Sequence, residues 1–337
     1  IDPLDVIESH GADPLRLAIV QAAAPGQDVP FDMEWVEGAR KFGNKLWNAA
    51  RFVLGHIDSG SVPATGGYPD NPGPESAWIL SRLAEVVERF DELSDEYRFS
   101  DADGLLYNFA WSEVFDWYLE LSKAALADEA SAAETRQTLG VVLRDLLKLF
   151  HPAIPYLTEE LWKEVVGEGL LAGSTWPDPP DLAAPHSMAV FQELVGGVRR
   201  FRSSHQLSPR QTLDVLIADP GSVAEQWWGR QLESLVAVTA EFGEPPVSDG
   251  FTRVVAGSEQ GFLPLEGVVD LDAERARLER ALTVAQEDFA VADKKLANPN
   301  FRDRAPADIV AKEEGKRSEA EATITKLQAQ LDELGDS

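Results

Sequence analysis

Apolar residues recur at positions 35, 39, 42, 46, 49 and 53, a three-and-four alternation that predicts one long amphipathic helix between Asp32 and His56. Before it, Asp2-Pro3 is a start signal and Leu4, Ile7, Leu15 and Ile19 keep helical spacing, so Pro3 to Ala23 reads as one short helical unit stopped by Pro25-Gly26. The Gly-, Pro- and Ser-rich stretch from Asp58 to Pro74 predicts a long exposed loop. Four further helical patterns, at 75–97, 101–127, 131–150 and 153–166, complete a bundle. Trp78, Trp111, Trp117, Phe150 and Trp162 fall among aliphatics at helix spacing and are expected to fill its core. Trp176-Pro177-Asp178-Pro179-Pro180 cannot continue a helix and ends the bundle.

Beyond the prolines the period changes. A helix over 187–205 leads to a strand at Leu213, Val215 and Ile217, a helical stretch at Val223–Leu235, and strands at Val236–Phe242, Thr252–Ala256 and Phe262–Leu265. Ser258-Glu259-Gln260-Gly261 reads as the turn between the last two, and the whole as a small mixed α/β module. From Val269 onward a heptad pattern appears at 271, 278, 282, 285, 289, 292 and 296, with Arg275 at the intervening position. It resumes at 310, 313, 317, 320, 324, 327, 331 and 334, and the two runs flank the breakers Asn298-Pro299-Asn300 and Ala305-Pro306. Two helices of about 28 residues zipped antiparallel would make an arm on the order of 40 Å long, suited to reach and contact rather than to enclosing a pocket. The expected class is therefore mostly α. Its regions are a leading segment 1–30, a helical bundle 31–180, an α/β module 181–268 and a coiled-coil arm 269–337.

Charge alters this picture. The 337 residues hold 30 Lys and Arg against 58 Asp and Glu, a formal net charge of −28, which excludes a generally basic nucleic-acid-binding surface and makes local exceptions informative. There are three. The polar stripe of the first long helix carries Arg40, Lys41, Asn44, Lys45, Asn48 and Arg51, while its acids Asp32, Glu34 and Glu37 sit in the first turns where the helix dipole favours them. Between Leu194 and Gln211, Arg199, Arg200, Arg202 and Arg210 occur with no carboxylate. From Lys294 to Arg317 there are seven cations and four acids. With a Debye length near 8 Å at physiological salt, such islands act independently of distant acidic surface, although each could also be an ordinary solvated helix face. Asparagines beside arginines tilt the first island toward base reading, since both present the paired groups that base edges need.

Other chemistry is poorly represented. The absence of cysteine removes disulfides, thiolate ligands and cysteine nucleophiles, and fits a reducing compartment. There is no Walker-type phosphate loop, G-x-G-x-x-G, H-E-x-x-H or G-x-S-x-G. His151, before Pro152, reads as a packing or capping residue at a helix junction. No metal site is expected, and without a membrane-length apolar run the chain is expected to be cytoplasmic, monomeric and free of membrane.

Three blocks in order carry a family resemblance: Gly11-Ala12-Asp13-Pro14-Leu15-Arg16, then Phe42-Gly43-Asn44-Lys45-Leu46-Trp47-Asn48-Ala49-Ala50-Arg51-Phe52, then His151-Pro152-Ala153-Ile154-Pro155-Tyr156-Leu157-Thr158-Glu159-Glu160-Leu161-Trp162. They resemble the class I aminoacyl-tRNA synthetases of the valine, isoleucine and leucine group. The arm, with Leu296-Ala297-Asn298-Pro299-Asn300-Phe301 and Ala305-Pro306-Ala307-Asp308-Ile309-Val310, resembles the C-terminal coiled coil of the valyl members. The resemblance implies that Ile1 to Glu8 follow the K-M-S-K-S loop, so that the catalytic and editing domains, with H-I-G-H, lie upstream and the chain alone makes no aminoacyl-adenylate. It implies an anticodon-binding bundle with Arg40, Lys41, Asn44, Lys45, Asn48 and Arg51 toward the anticodon stem and loop of tRNA-Val. Arg199, Arg200 and Arg202 join this list as further tRNA-binding candidates. It implies that the arm leans on the outer corner of the tRNA through Arg275, Arg277, Lys294, Lys295, Arg302, Arg304, Lys312, Lys316 and Arg317. No cofactor is expected in this chain; ATP with Mg is implied for the full ligase. Another specificity of the same class, or a helical protein-interaction adaptor, remains an alternative.

Overall fold

The computed structural model describes residues 2–23, 31–183, 185, 187–218, 225–246, 250–257, 259–265, 271–298, 301 and 306–335. Contacts divide the chain into two units, Ile1–Met188 and Ala189–Ser337.

The first unit is helical. The opening segment is two helices, α1 (Pro3–His10) and α2 (Ala12–Ala22), where periodicity suggested one. Gly11 between them has φ +95°, a conformation that breaks helical hydrogen bonding and that L side chains rarely adopt. The long stripe-bearing helix is α3 (Met33–Leu54), capped by the Asp32 carboxylate, which accepts from the Glu34 N–H at 2.9 Å. It is followed by α4 (Pro74–Asp95), α5 (Phe99–Asn108), a π-helical stretch Phe109–Tyr118, α6 (Leu119–Ala127), α7 (Ala132–Phe150) and α8 (Pro155–Val165). The core gathers around Phe42, whose ring lies 4.7 Å from Tyr107 and 4.9 Å from Phe150 between centroids. Trp78, Phe150 and Trp162 are buried as expected. Trp111 and Trp117 are only half-buried: both lie in the π-helical stretch, whose wider winding displaces the 3.6-residue face that would have turned them inward.

The segment 58–74 is not a free loop. Helix α7 is buried without interruption from Thr138 to Phe150, including Arg144, Asp145 and Lys148. Arg144 donates to the carbonyls of Pro63 (3.0 Å) and Gly66, Lys148 to that of Ala64 (2.8 Å), and the Tyr68 hydroxyl to Asp145 (2.6 Å). Burial, followed by the Asp145 charge, raises the Tyr68 pKa; burial lowers that of Lys148.

In the second unit, α9 (Ser187–Ser204) leads to a four-stranded sheet of order β2-β1-β4-β3. Its strands are β1 (Leu213–Ala218), β2 (Val238–Gly243), β3 (Phe251–Ala256) and β4 (Glu259–Pro264). β1 and β2 are parallel, joined across α10 (Glu225–Val236), while β4 is antiparallel to both β1 and β3. The β3–β4 ladder reaches Ala256↔Glu259, so Glu259, Gln260 and Gly261 are strand rather than turn. Helix α9 lies so close to β3 that a Cβ at Gly197 would come within 2.0 Å of Val254. The arm is α11 (Leu271–Leu296) and α12 (Ala307–Gly335), antiparallel because Asp293 meets Arg317 and Lys295 meets Glu313. Leu278, Ala285, Ala292, Leu296 and Ala320 are buried along its seam, as the heptads require.

Candidate nucleic-acid interface

On α3 the polar stripe exists as a surface. Arg40, Lys41, Asn44, Asn48 and Arg51 are exposed, while Val36, Ala39, Phe42, Leu46, Ala49, Ala50 and Val53 face the core. Its charge is partly compensated. Arg40 makes a bidentate pair with Glu37 at 2.8 Å, and its guanidinium holds the Glu37 carboxyl below the ordinary carboxylate range. Lys45 is half-exposed, donates to Asp116 at 2.7 Å and sits 4.6 Å over the Trp111 ring. Exposed pairs of this kind contribute little, so a phosphate can displace them at little cost.

Trp47 stands apart from the residues that the sequence assigns to the stripe. It is 42% exposed at the border of the stripe and lines a groove of ≈ 630 Å³ with His10, Pro14, Arg40, Asn44 and Tyr156. Tyr156, on the first turn of α8, is 69% exposed. A tryptophan off the apolar positions of its helix was the available signal. The groove is framed by the first and third sequence blocks. The Asp13 carboxylate accepts from the N–H groups of Tyr156 (3.3 Å) and Leu157 (2.7 Å), capping α8, and Arg16 donates to the carbonyls of Pro152 (2.8 Å) and Ala153 (3.1 Å). His151 Nδ1 lies 2.9 Å from the Thr158 hydroxyl, a junction contact.

The arginine island of the second unit divides. Arg199 and Arg200 are exposed, but Arg202 is only 6% exposed, and the structure withdraws it from the surface. Its guanidinium donates to the carbonyls of Ser208 (2.8 Å), Val236 (2.7 Å) and Ala237 (3.1 Å), satisfying the end of α10 and the start of β2, and burial lowers its pKa. Arg202 is thus corrected from a surface candidate to a residue that holds the module together.

On the arm, Arg275, Lys294 and Lys312 are exposed; Arg277 donates to the Ser204 carbonyl at 3.2 Å. Lys295 (3.3 Å) and Lys316 (2.7 Å) converge on Glu313, and Arg317 meets Asp293 at 3.4 Å. Glu313, at a seam position, is held below the ordinary carboxylate range by Lys316 first and Lys295 next. Arg302 and Arg304 lie outside the described residues. Among the described residues no group of three His, Asp or Glu side chains is placed to hold a metal ion, and no helix is long and apolar enough to cross a membrane.

Comparison with known proteins shows what the chain is similar to. Residues 76–217 match the anticodon-binding domain of tRNA ligase, and residues 270–335 match the valyl tRNA synthetase tRNA binding arm. The valine–tRNA ligase of Streptomyces coelicolor is 38% identical over 346 residues, covering 99% of this chain and 38% of the relative. Those of Prochlorococcus marinus (38% over 372 residues) and Bacillus subtilis (34% over 354 residues) each cover 99% of this chain and 39% of their own length. The chain therefore spans less than two fifths of the relatives it matches. Helix α3 precedes the matched anticodon-binding segment and is included in the longer alignments.

Proposed function

The chain corresponds to the C-terminal region of the valine–tRNA ligases, and from that premise we propose that it grips the tRNA charged by the longer protein. The α3 stripe and its groove take the anticodon stem and loop, and the arm rests on the outer corner of the same molecule. The observation that carries this reading is the exposed stripe itself. Arg40, Lys41, Asn44, Asn48 and Arg51 lie on one helix face of a chain with net charge −28, with Trp47 exposed at its edge. Cations neutralise phosphates, asparagine amides pair with base edges, and an exposed indole offers a stacking plane for a splayed base. ATP and Mg²⁺ would serve amino-acid activation in the longer protein, and no step of that chemistry falls to the residues described above.

The test is a binding titration of the full 337-residue chain with tRNA-Val transcripts bearing the native or a replaced anticodon. The reading expects the swap, and Asn48→Ala in the chain, each to weaken binding about five- to 150-fold, the equivalent of about 1–3 kcal/mol of base discrimination. Lys41→Gln should weaken both tRNAs alike and lower the salt slope by about one phosphate contact. Equal affinity for the two anticodons, unaffected by Asn48→Ala, would refute anticodon reading by this surface.

A further inference from the structure

We propose that the cleft where α9, the β3 edge and the base of the arm meet is a phosphodiester-binding site, which holds the backbone of an RNA through Arg200, Arg253 and Lys326. The cleft, of ≈ 560 Å³, takes these three cations from three separate elements: α9, β3 and α12. Only Arg200 belongs to a cluster visible in the sequence; Arg253 and Lys326 are isolated along the chain and are brought to it by folding. Ser203 and Thr252 add hydroxyl donors at its rim.

Its composition runs against the rest of the molecule. Acids outnumber bases 58 to 30 in the chain, yet among the described residues no Asp or Glu lines this cleft. Several cations elsewhere are matched by carboxylates: Arg40 with Glu37, Lys45 with Asp116, Lys295 and Lys316 with Glu313, Arg317 with Asp293. Arg200, Arg253 and Lys326 are exposed, and among the described residues none of them has a carboxylate within ion-pair distance. Three like charges around one depression repel each other and disfavour the folded state unless an anion occupies it. The walls are built rather than adventitious. Gly197 lets α9 sit against Val254, Leu278 of α11 is buried beneath, and Arg277 ties the arm's base to the end of α9. The three cations are exposed and stand on three separate elements, an arrangement that suits the successive phosphates of a chain better than a single free one. Along α11, Leu278 at this cleft and Lys294 in the distal basic patch are about 24 Å apart by helical rise, so one RNA could meet the arm at both ends.

The inference rests on the proposed tRNA-binding role for its choice of RNA as ligand, and the experiment separates the two. Fluorescein-labelled oligouridylate 12-mer and tRNA-Val are titrated into the full chain by anisotropy between about 20 and 200 mM salt. Arg253→Gln and Lys326→Gln are each expected to weaken both probes several-fold at low salt and to flatten the log K against log salt slope by about 0.7–0.9. Arg89→Gln, whose wild-type side chain is paired with Glu92 on α4, should change neither. Inorganic phosphate at fixed ionic strength should not displace the 12-mer; full displacement at low millimolar phosphate would instead mean a free-phosphate site and overturn the proposal. Unchanged slopes in both variants would overturn it too, as would failure of the wild type to bind either probe at about 20 mM salt. Loss of anticodon discrimination with the Arg253 effect retained would count only against the anticodon reading.

Discussion

Asp13 and Arg16 show how much a single residue's meaning depends on where the chain returns. Both stand in a short block near the start, yet their partners are the backbone groups of Pro152, Ala153, Tyr156 and Leu157. Removing a side-chain cap costs about 1–2 kcal/mol, so Asp13→Ala should lower the melting temperature of the helical unit by roughly 2–8 °C in a calorimetric scan. It should also loosen Tyr156 and thereby weaken tRNA binding in the same direction. Asp103 makes a different prediction. It is 4% exposed, and burial pushes its pKa up to about 6 from the ordinary 3.8, with the Gln21 hydrogen bond opposing. The folded state then holds the proton more tightly than the unfolded one, so stability contributed by this group is full below about pH 3.8 and is lost as pH rises to about 6. Urea unfolding at a series of pH values should show that decline in the wild type, and the wild-type-minus-variant difference for Asp103→Asn should isolate it between those limits. A difference that does not change with pH would show that Asp103 ionises normally.

Among the elements, α7 carries an ionic set that the fold encloses. Arg144 (1% exposed) and Asp145 (0%) pair at 2.8 Å, and with Tyr68 and Lys148 they staple residues 63–68 to the bundle. Breaking a buried pair leaves a charge without compensation and costs about 3–5 kcal/mol. Arg144→Met is therefore expected to lower the urea midpoint markedly and to make 58–74 the first site of limited proteolysis; cleavage elsewhere first would argue that Arg144 does not hold this segment. The arm carries the opposite arrangement, a carboxylate in an apolar seam. Glu313→Gln keeps the shape but releases Lys295 and Lys316 from an anion that competes with phosphate. A two- to fivefold gain in tRNA affinity at low salt, fading at high salt, is the expected result of a filter-binding titration. No gain would place these two lysines away from the RNA.

For the whole molecule, the acidic surface and the basic exceptions together set the behaviour in salt. A ligand held through a few cationic islands on a chain of net charge −28 should bind with strong salt dependence. Cutting the chain near Gly267 removes the arm and should weaken tRNA association while the helical unit, which has its own core, keeps its helical circular dichroism and cooperative melt. Equal affinity of both lengths at two salt concentrations would take the arm out of the mechanism. The helices, the module and the arm were legible along the chain because helical and heptad periodicities are local properties that a few turns suffice to display. The same holds for the charge islands, which are runs of neighbours. What periodicity cannot express is which polar residues the fold turns inward and which cations it pairs. Arg202 stands in a run with Arg199 and Arg200 but is aimed at carbonyls 34 and 35 residues on, and Lys45 meets a carboxylate 71 residues away. The sequence by itself determined most of the secondary elements, the antiparallel arm and the uneven distribution of charge, since each is encoded over short spans. Only the tertiary structure decided that Arg144 and Arg202 are internal, that Trp47 stays at the surface, and that Arg200, Arg253 and Lys326 share one cleft. Those outcomes depend on contacts between distant segments, whose burial and pairing energies arise only when the chain is packed.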